Sequence, residues 1–171
     1  AYLREEDYQA ALSLLQSQSV SCELKTAASF LLLLAYRYGL RAGEGLGLCR
    51  DDWKGKTVSI VLVRNNAMRK LKTPAGRRLV PTLFSLTDLE KSIIESALLL
   101  AEAEYGGRTN APLLGRIVEN RMSVRRIRLL TINALRAVTG NPRMVLHGAR
   151  HSYAIRVFDA LLACSPRYQG L

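Results

Sequence analysis

His147 and His151, the two histidines of the chain, flank Arg150 in the run Leu146-His147-Gly148-Ala149-Arg150-His151-Ser152-Tyr153-Ala154. A second arginine, Arg41, stands far upstream in Tyr38-Gly39-Leu40-Arg41-Ala42-Gly43-Glu44. Between them lies a basic stretch, Lys72-Thr73-Pro74-Ala75-Gly76-Arg77-Arg78-Leu79-Val80-Pro81. Two guanidinium groups can hold both non-bridging oxygens of one phosphodiester and neutralise the charge that builds in a pentacoordinate transition state. A lysine on a hairpin can protonate a leaving oxygen, and a histidine can stabilise charge or accept the nucleophile's proton. Glu44, three residues after Arg41, can orient a neighbouring side chain. Arg41, Lys72, His147 and Arg150, supported by Glu44, are therefore the candidate catalytic set. Lys70 is close enough to Lys72 to take the same role. His147 and His151 also have the spacing of a zinc-binding pair. Gly148 stands where that motif has glutamate, and no third ligand is evident, so no metal is expected.

The chain that must assemble these groups reads as α+β, mainly α-helical. Leu3, Tyr8, Leu12 and Leu15 recur at helical spacing from Leu3 to Gln16, and Glu5, Glu6 and Asp7 sit where a helix dipole favours acids. After a polar loop from Ser17 to Cys22, a helix from Leu24 to Tyr38 is apolar on most faces and reads as the core helix. Gly39 is placed to end it in the left-handed conformation. Arg41 to Cys49 reads as a short helix. Lys56 to Arg64, Met68 to Thr73 and Arg77 to Val80 predict a small three-stranded antiparallel sheet with turns at Asn65-Asn66 and Pro74-Ala75-Gly76. Further helices are expected over Thr87 to Glu104, Met122 to Val138 and Val145 to Ala163. Gly140-Asn141-Pro142 breaks the chain, and Ser165-Pro166 starts another element. With no repeat and no linker, residues 1–171 read as a single domain.

Charge points to the partner. The formal net charge is +11, and arginines outnumber lysines nineteen to six, which favours bidentate grip on phosphate. On the helix from Met122 to Val138, Val124, Ile127, Leu130, Ala134 and Val138 form an apolar face. Arg125, Arg126, Arg128, Asn133 and Arg136 point the other way with no acid among them, so the four arginines are candidate phosphate contacts. The longest apolar run, Phe30 to Tyr36, is far too short to span a membrane. Cys22, Cys49 and Cys164 form no CxxC pair, which is the pattern of reduced cysteines in a cytosolic protein.

Taken together, the boxes resemble the catalytic domain of the tyrosine recombinases, the phage integrase family. Gly39-Leu40-Arg41-Ala42-Gly43-Glu44 is similar to the family's Gly-Leu-Arg-x-x-Glu box, and Leu48 to Asp52 to its following Leu-x-x-x-Asp. Lys72-Thr73 before Arg78-Leu79-Val80-Pro81 is similar to the lysine hairpin, and His147-Gly148-Ala149-Arg150-His151 to His-x-Leu-Arg-His, with Ala149 in place of leucine. The resemblance implies that Arg41 and Arg150 bind the scissile phosphate of double-stranded DNA, and that Lys72 is general acid for the 5′-hydroxyl. It makes His147 the active-site histidine and Glu44 the supporting acid, and puts His151 with the DNA-facing residues. Cleavage and rejoining through a 3′-phosphotyrosine needs no cofactor, because the covalent link keeps the energy of the broken bond. A cytoplasmic, nucleoid-associated enzyme is implied, tetrameric on DNA when full-length, with this piece a monomer in solution.

Two parts of the family pattern are not found in the sequence. The second histidine or tryptophan and the nucleophilic tyrosine are expected beyond Leu171, since Tyr168 follows Arg150 too closely and Tyr153 lies within the motif helix. The N-terminal core-binding domain is also not recognised, and a chain starting at Ala1 is expected to be an excised or processed piece. This piece is then expected to supply the phosphate cage but not the nucleophile. An inactive DNA-binding regulator with the same fold is the main alternative. A basic RNA-binding protein with chance motifs is a third reading. The DNA site, and the choice among phage, transposon, integron and chromosomal roles, are not encoded in these motifs.

Overall fold

The computed structural model describes residues 2–56 and 59–164. Helix α2 (Cys22–Tyr38) is its axis, buried along almost its whole length because its leucines, alanines and aromatics leave no polar face. Ser21 caps its start, its hydroxyl accepting the Leu24 N–H at 3.3 Å. Gly39 ends it at φ 63° and ψ 26°, and the Leu40 N–H returns to the Leu34 carbonyl at 3.1 Å. Helices α1 (Glu5–Ser17), α4 (Asp88–Tyr105), α5 (Arg121–Thr139) and α6 (Leu146–Ala163) pack around it, and the short α3 (Ala42–Leu46) follows it directly. Each helix expected from the sequence is present, with ends shifted by a few residues.

A polar cluster lies within this helical layer, sealed at Arg37 and Glu90 and open to solvent at Glu5. Arg37 on α2 donates from Nε to Glu90 on α4 at 2.5 Å and also pairs with Glu5 on α1. The Tyr8 hydroxyl donates to the same Glu90 oxygen at 2.7 Å, and the Tyr8 ring stacks on Tyr36 at 3.9 Å. Glu90 also closes the cap of α4 by accepting the Thr87 N–H at 2.6 Å. Every charge here has a partner, which burial demands.

The sheet is three-stranded and antiparallel as expected, in the order β1 (Trp53–Gly55), β2 (Ser59–Val63), β3 (Arg78–Pro81). Val61 pairs with Trp53 on one side and Val80 on the other. Trp53, Val61, Val63 and Val80 face the core, while Ile60 and Leu79 on the other face are exposed, the period-2 pattern of a one-sided sheet. The composition of the sheet corrects the sequence reading. Met68 to Thr73 is not a strand, and Trp53 to Gly55 supplies the missing one. The reason lies in two asparagines. Asn66 Oδ1 accepts the N–H groups of Met68 (2.8 Å) and Arg69 (2.9 Å), and Asn65 Oδ1 accepts that of Leu71 (2.6 Å). Donors that a ladder would need are taken by side chains. Of the expected strand from Lys56 to Arg64, Ser59–Val63 is observed, and residues 57 and 58 lie outside the described residues, as do Ser165-Pro166 and Tyr168.

Candidate active site

Glu44 is the centre of the site. It is the third residue of α3, and its carboxylate reaches back to accept the Arg41 N–H at 2.8 Å. This bond holds Arg41 at the N-terminal cap with extended backbone. The Arg41 side chain is 63% exposed and touches Glu44 Oε1 at 3.2 Å, whereas the Glu44 side chain is only 8% exposed. Arg150, in the first turns of α6, donates from Nη1 to the Gly39 carbonyl at 2.7 Å and lies 3.5 Å from Glu44 Oε2. Arg78 on β3 grips the same carboxylate with both nitrogens, Nη1 to Oε1 at 3.1 Å and Nη2 to Oε2 at 2.8 Å. Burial alone would raise the Glu44 carboxyl. The Arg78 and Arg41 hydrogen bonds and the nearby guanidinium charges outweigh it and bring the pKa down to about 2.

Gly39 makes this convergence possible. Its positive φ turns the chain from α2 into α3, and its bare Cα lets α6 come close. A Cβ there would lie 2.3 Å from Cδ1 of Tyr153. Helix α6 is further tied down through Ser152, whose buried hydroxyl accepts the Leu3 N–H at 2.7 Å and donates to the Gly148 carbonyl at 2.9 Å.

His147 is exposed on the first turn of α6, and its ring meets that of His151 edge to face at 4.3 Å. Desolvation, then the His151 ring and the charges of Arg150 and Arg41, hold its pKa below the usual imidazole value. Among the described residues no group of three His, Cys, Asp or Glu side chains is placed to hold a metal.

Lys72 sits on the irregular connection between β2 and β3. It lines a cleft of about 620 Å³ together with Arg41, Glu44, Arg69 and Lys70. Both candidate lysines therefore share the cleft with the first arginine. Arg69, which the sequence reading missed, fixes this connection from below. Its Nε donates to the Arg64 carbonyl at 3.0 Å and its Nη1 to the Glu44 carbonyl. Its Nη2 is buried without a hydrogen-bond partner, 3.9 Å from Asp52 Oδ2. Asn66 completes the link by donating to Asp52 at 2.6 Å and to the Gly47 carbonyl at 2.8 Å. Arg78 was also missed as a site residue, although its Arg-x-Val-Pro setting was visible. Nothing in the sequence distinguishes Arg69 from a surface arginine.

The remaining expected residues lie on α5. Arg125, Arg126 and Arg128 are exposed there, opposite the buried Ile127, Thr131, Ala134 and Leu135. Arg136 is exposed too, but its Nε donates to the Met144 carbonyl at 3.1 Å, so it braces the turn that leads into α6. Tyr153 is half-buried, its ring set against Gly39 and edge-on to Phe84 at 6.2 Å. Burial pushes its phenol above the usual value.

The fold is that of a tyrosine-recombinase catalytic domain. The chain superposes on the XerH site-specific recombinase bound to difH substrate in a pre-cleavage complex, with a TM-score of 0.63 at 14% identity over 93% of this chain and 43% of that one. It superposes on the Tn1549 transposon integrase in complex with transposon right end DNA with a TM-score of 0.53 at 16% identity, over 94% of this chain and 54% of that one. The chain thus spans about half the length of these structures. No protein-family model matches the sequence, and no curated protein matches it. No helix among the described residues is long and apolar enough to cross a membrane.

Proposed function

We propose that this chain binds the phosphodiester backbone of duplex DNA at the Glu44 cluster and serves a site-specific recombination or integration reaction of the 3′-phosphotyrosine type. Arg41 and Arg150 hold the non-bridging oxygens, Lys72 protonates the departing 5′-oxygen, His147 stabilises charge at the phosphate, and Glu44 orients the arginines. Arg125, Arg126, Arg128 and His151 add contacts to flanking backbone, and Arg136 joins them while bracing its turn. The observation that carries the reading is one buried carboxylate shared by Arg41, Arg78 and Arg150 at the surface, with Lys72 lining the same cleft as Arg41. A cationic surplus of this kind is complementary to an anion with paired oxygens such as a phosphate. The attacking tyrosine is assigned to none of the described residues. Tyr153, the one nearest Arg150 in sequence, is wedged against Gly39, and burial raises its phenol further above the usual value.

Binding of a short labelled duplex at fixed ionic strength tests this. Arg41→Ala and Arg150→Ala should each weaken binding on the order of tenfold and reduce the salt dependence. Affinity that survives either substitution points instead to a regulator that binds DNA without using the cage. Preference for structured RNA at matched salt would overturn the choice of partner. A covalent 3′-adduct on Tyr153 or another described tyrosine would overturn the assignment of the attacking tyrosine to none of them.

A further inference from the structure

We infer that Arg78 is a positioning residue that keeps Glu44 from competing with the DNA phosphate for Arg41 and Arg150. The inference rests on the reading of the cluster as a phosphate site. A single carboxylate faces three guanidinium groups, and it divides itself unequally among them. Arg78 takes the bidentate share, at 3.1 and 2.8 Å. Arg41 keeps one side-chain contact at 3.2 Å, and Arg150 a long one at 3.5 Å while its main bond goes to the Gly39 carbonyl. The arginine that holds Glu44 most tightly is thus the one outside the Gly-Leu-Arg and His-x-x-Arg-His boxes.

The geometry explains why this matters. A carboxylate and a phosphate offer guanidinium groups the same paired oxygens, so an uncommitted Glu44 would be a built-in competitor for the anion site. Arg78 occupies both carboxylate oxygens from the sheet side and leaves the outward donors of Arg41 and Arg150 to the ligand. It also ties β3, which follows the Lys72 connection, to α3, which follows Arg41.

The test is a suppressor experiment on duplex DNA binding at fixed ionic strength, with thermal unfolding of each variant as the folding control. Arg78→Met should weaken binding on the order of tenfold, because Glu44 then turns to Arg41 and Arg150. Glu44→Gln added to Arg78→Met should recover most of that loss, because the competitor is neutralised. Arg78→Lys, which retains the charge with less disturbance to packing, should bind closer to the unsubstituted protein than Arg78→Met does. A double variant no tighter than Arg78→Met would overturn the inference and make Arg78 a direct DNA contact or a fold anchor. So would Arg78→Met binding as tightly as the unsubstituted chain. If Arg150→Ala also leaves affinity unchanged, the reading of the whole cluster fails. If Arg150→Ala weakens binding but the suppressor does not act, only the role of Arg78 fails.

Discussion

Glu90 and Glu44, two of the buried carboxylates among the described residues, each gather arginines, and the two clusters differ in their charge balance. Around Glu90, Arg37 and Arg156 are met by Glu90 and Glu5, and the central pair is sealed, Arg37 at 4% and Glu90 at 0% side-chain exposure. Around Glu44, one carboxylate meets three guanidinium groups, and Arg41 reaches well into solvent. The first arrangement satisfies itself and can only hold helices together. The second is left with positive charge and unused donors at the surface, which is what an anion site requires.

Breaking the closed cluster should have the largest effect, and on stability alone. Arg37→Ala leaves Glu90 buried and uncompensated, which should cost about 3–5 kcal/mol in urea unfolding. At temperatures where the variant is folded, its DNA affinity should match that of the unsubstituted chain. A loss of affinity in the folded variant would remove the distinction between the two clusters.

Gly39→Ala should affect both properties. It places a side chain at a positive φ, for about 1–3 kcal/mol of strain, and drives Tyr153 away from the turn whose carbonyl holds Arg150. Stability and DNA affinity should fall together. Unchanged affinity would show that the Gly39 carbonyl does not position Arg150.

Acid should expose a smaller difference. Glu44 has its pKa depressed from 4.5 to about 2, so its stabilising contribution is fully present above pH 4.5 and is lost as pH falls towards 2. Glu44→Gln should flatten that part of the stability profile, as measured by thermal unfolding from pH 5 downwards. An unchanged acid slope would mean that Glu44 is not the group responsible.

The smallest effect is a shift at His147. Its pKa lies below the usual imidazole value, with Arg150 and Arg41 among the causes, so it should titrate at lower pH than a free histidine by nuclear magnetic resonance. Duplex DNA should raise it by screening those charges. A midpoint that does not move on DNA addition would place the phosphate away from His147.

The helices were legible because burial imposes periodicity. The apolar run of α2, the acids opening α1 and Gly39 closing α2 all carry local signals, and the structure repeats them. The sheet was half legible. Ser59–Val63 carries the alternation of a one-sided strand, whereas Trp53–Gly55 is too short to show any. Met68 to Thr73 misled because strand propensity does not register that Asn65 and Asn66 divert its backbone donors.

By itself the sequence determined which chemical groups were available. Arginines at 41 and 150, a lysine at 70 or 72, a histidine at 147 and an acid at 44 were enough to suggest a phosphate cage, because residue type and local spacing are properties of the chain alone. Only the tertiary structure decided how those groups divide their hydrogen bonds. Glu44 and Arg78 are thirty-four residues apart, and Arg150 and Gly39 a hundred and eleven. No local pattern encodes such meetings. They arise because α2, β3 and α6 pack against one core and bring Gly39, Arg78 and Arg150 to the same end of it.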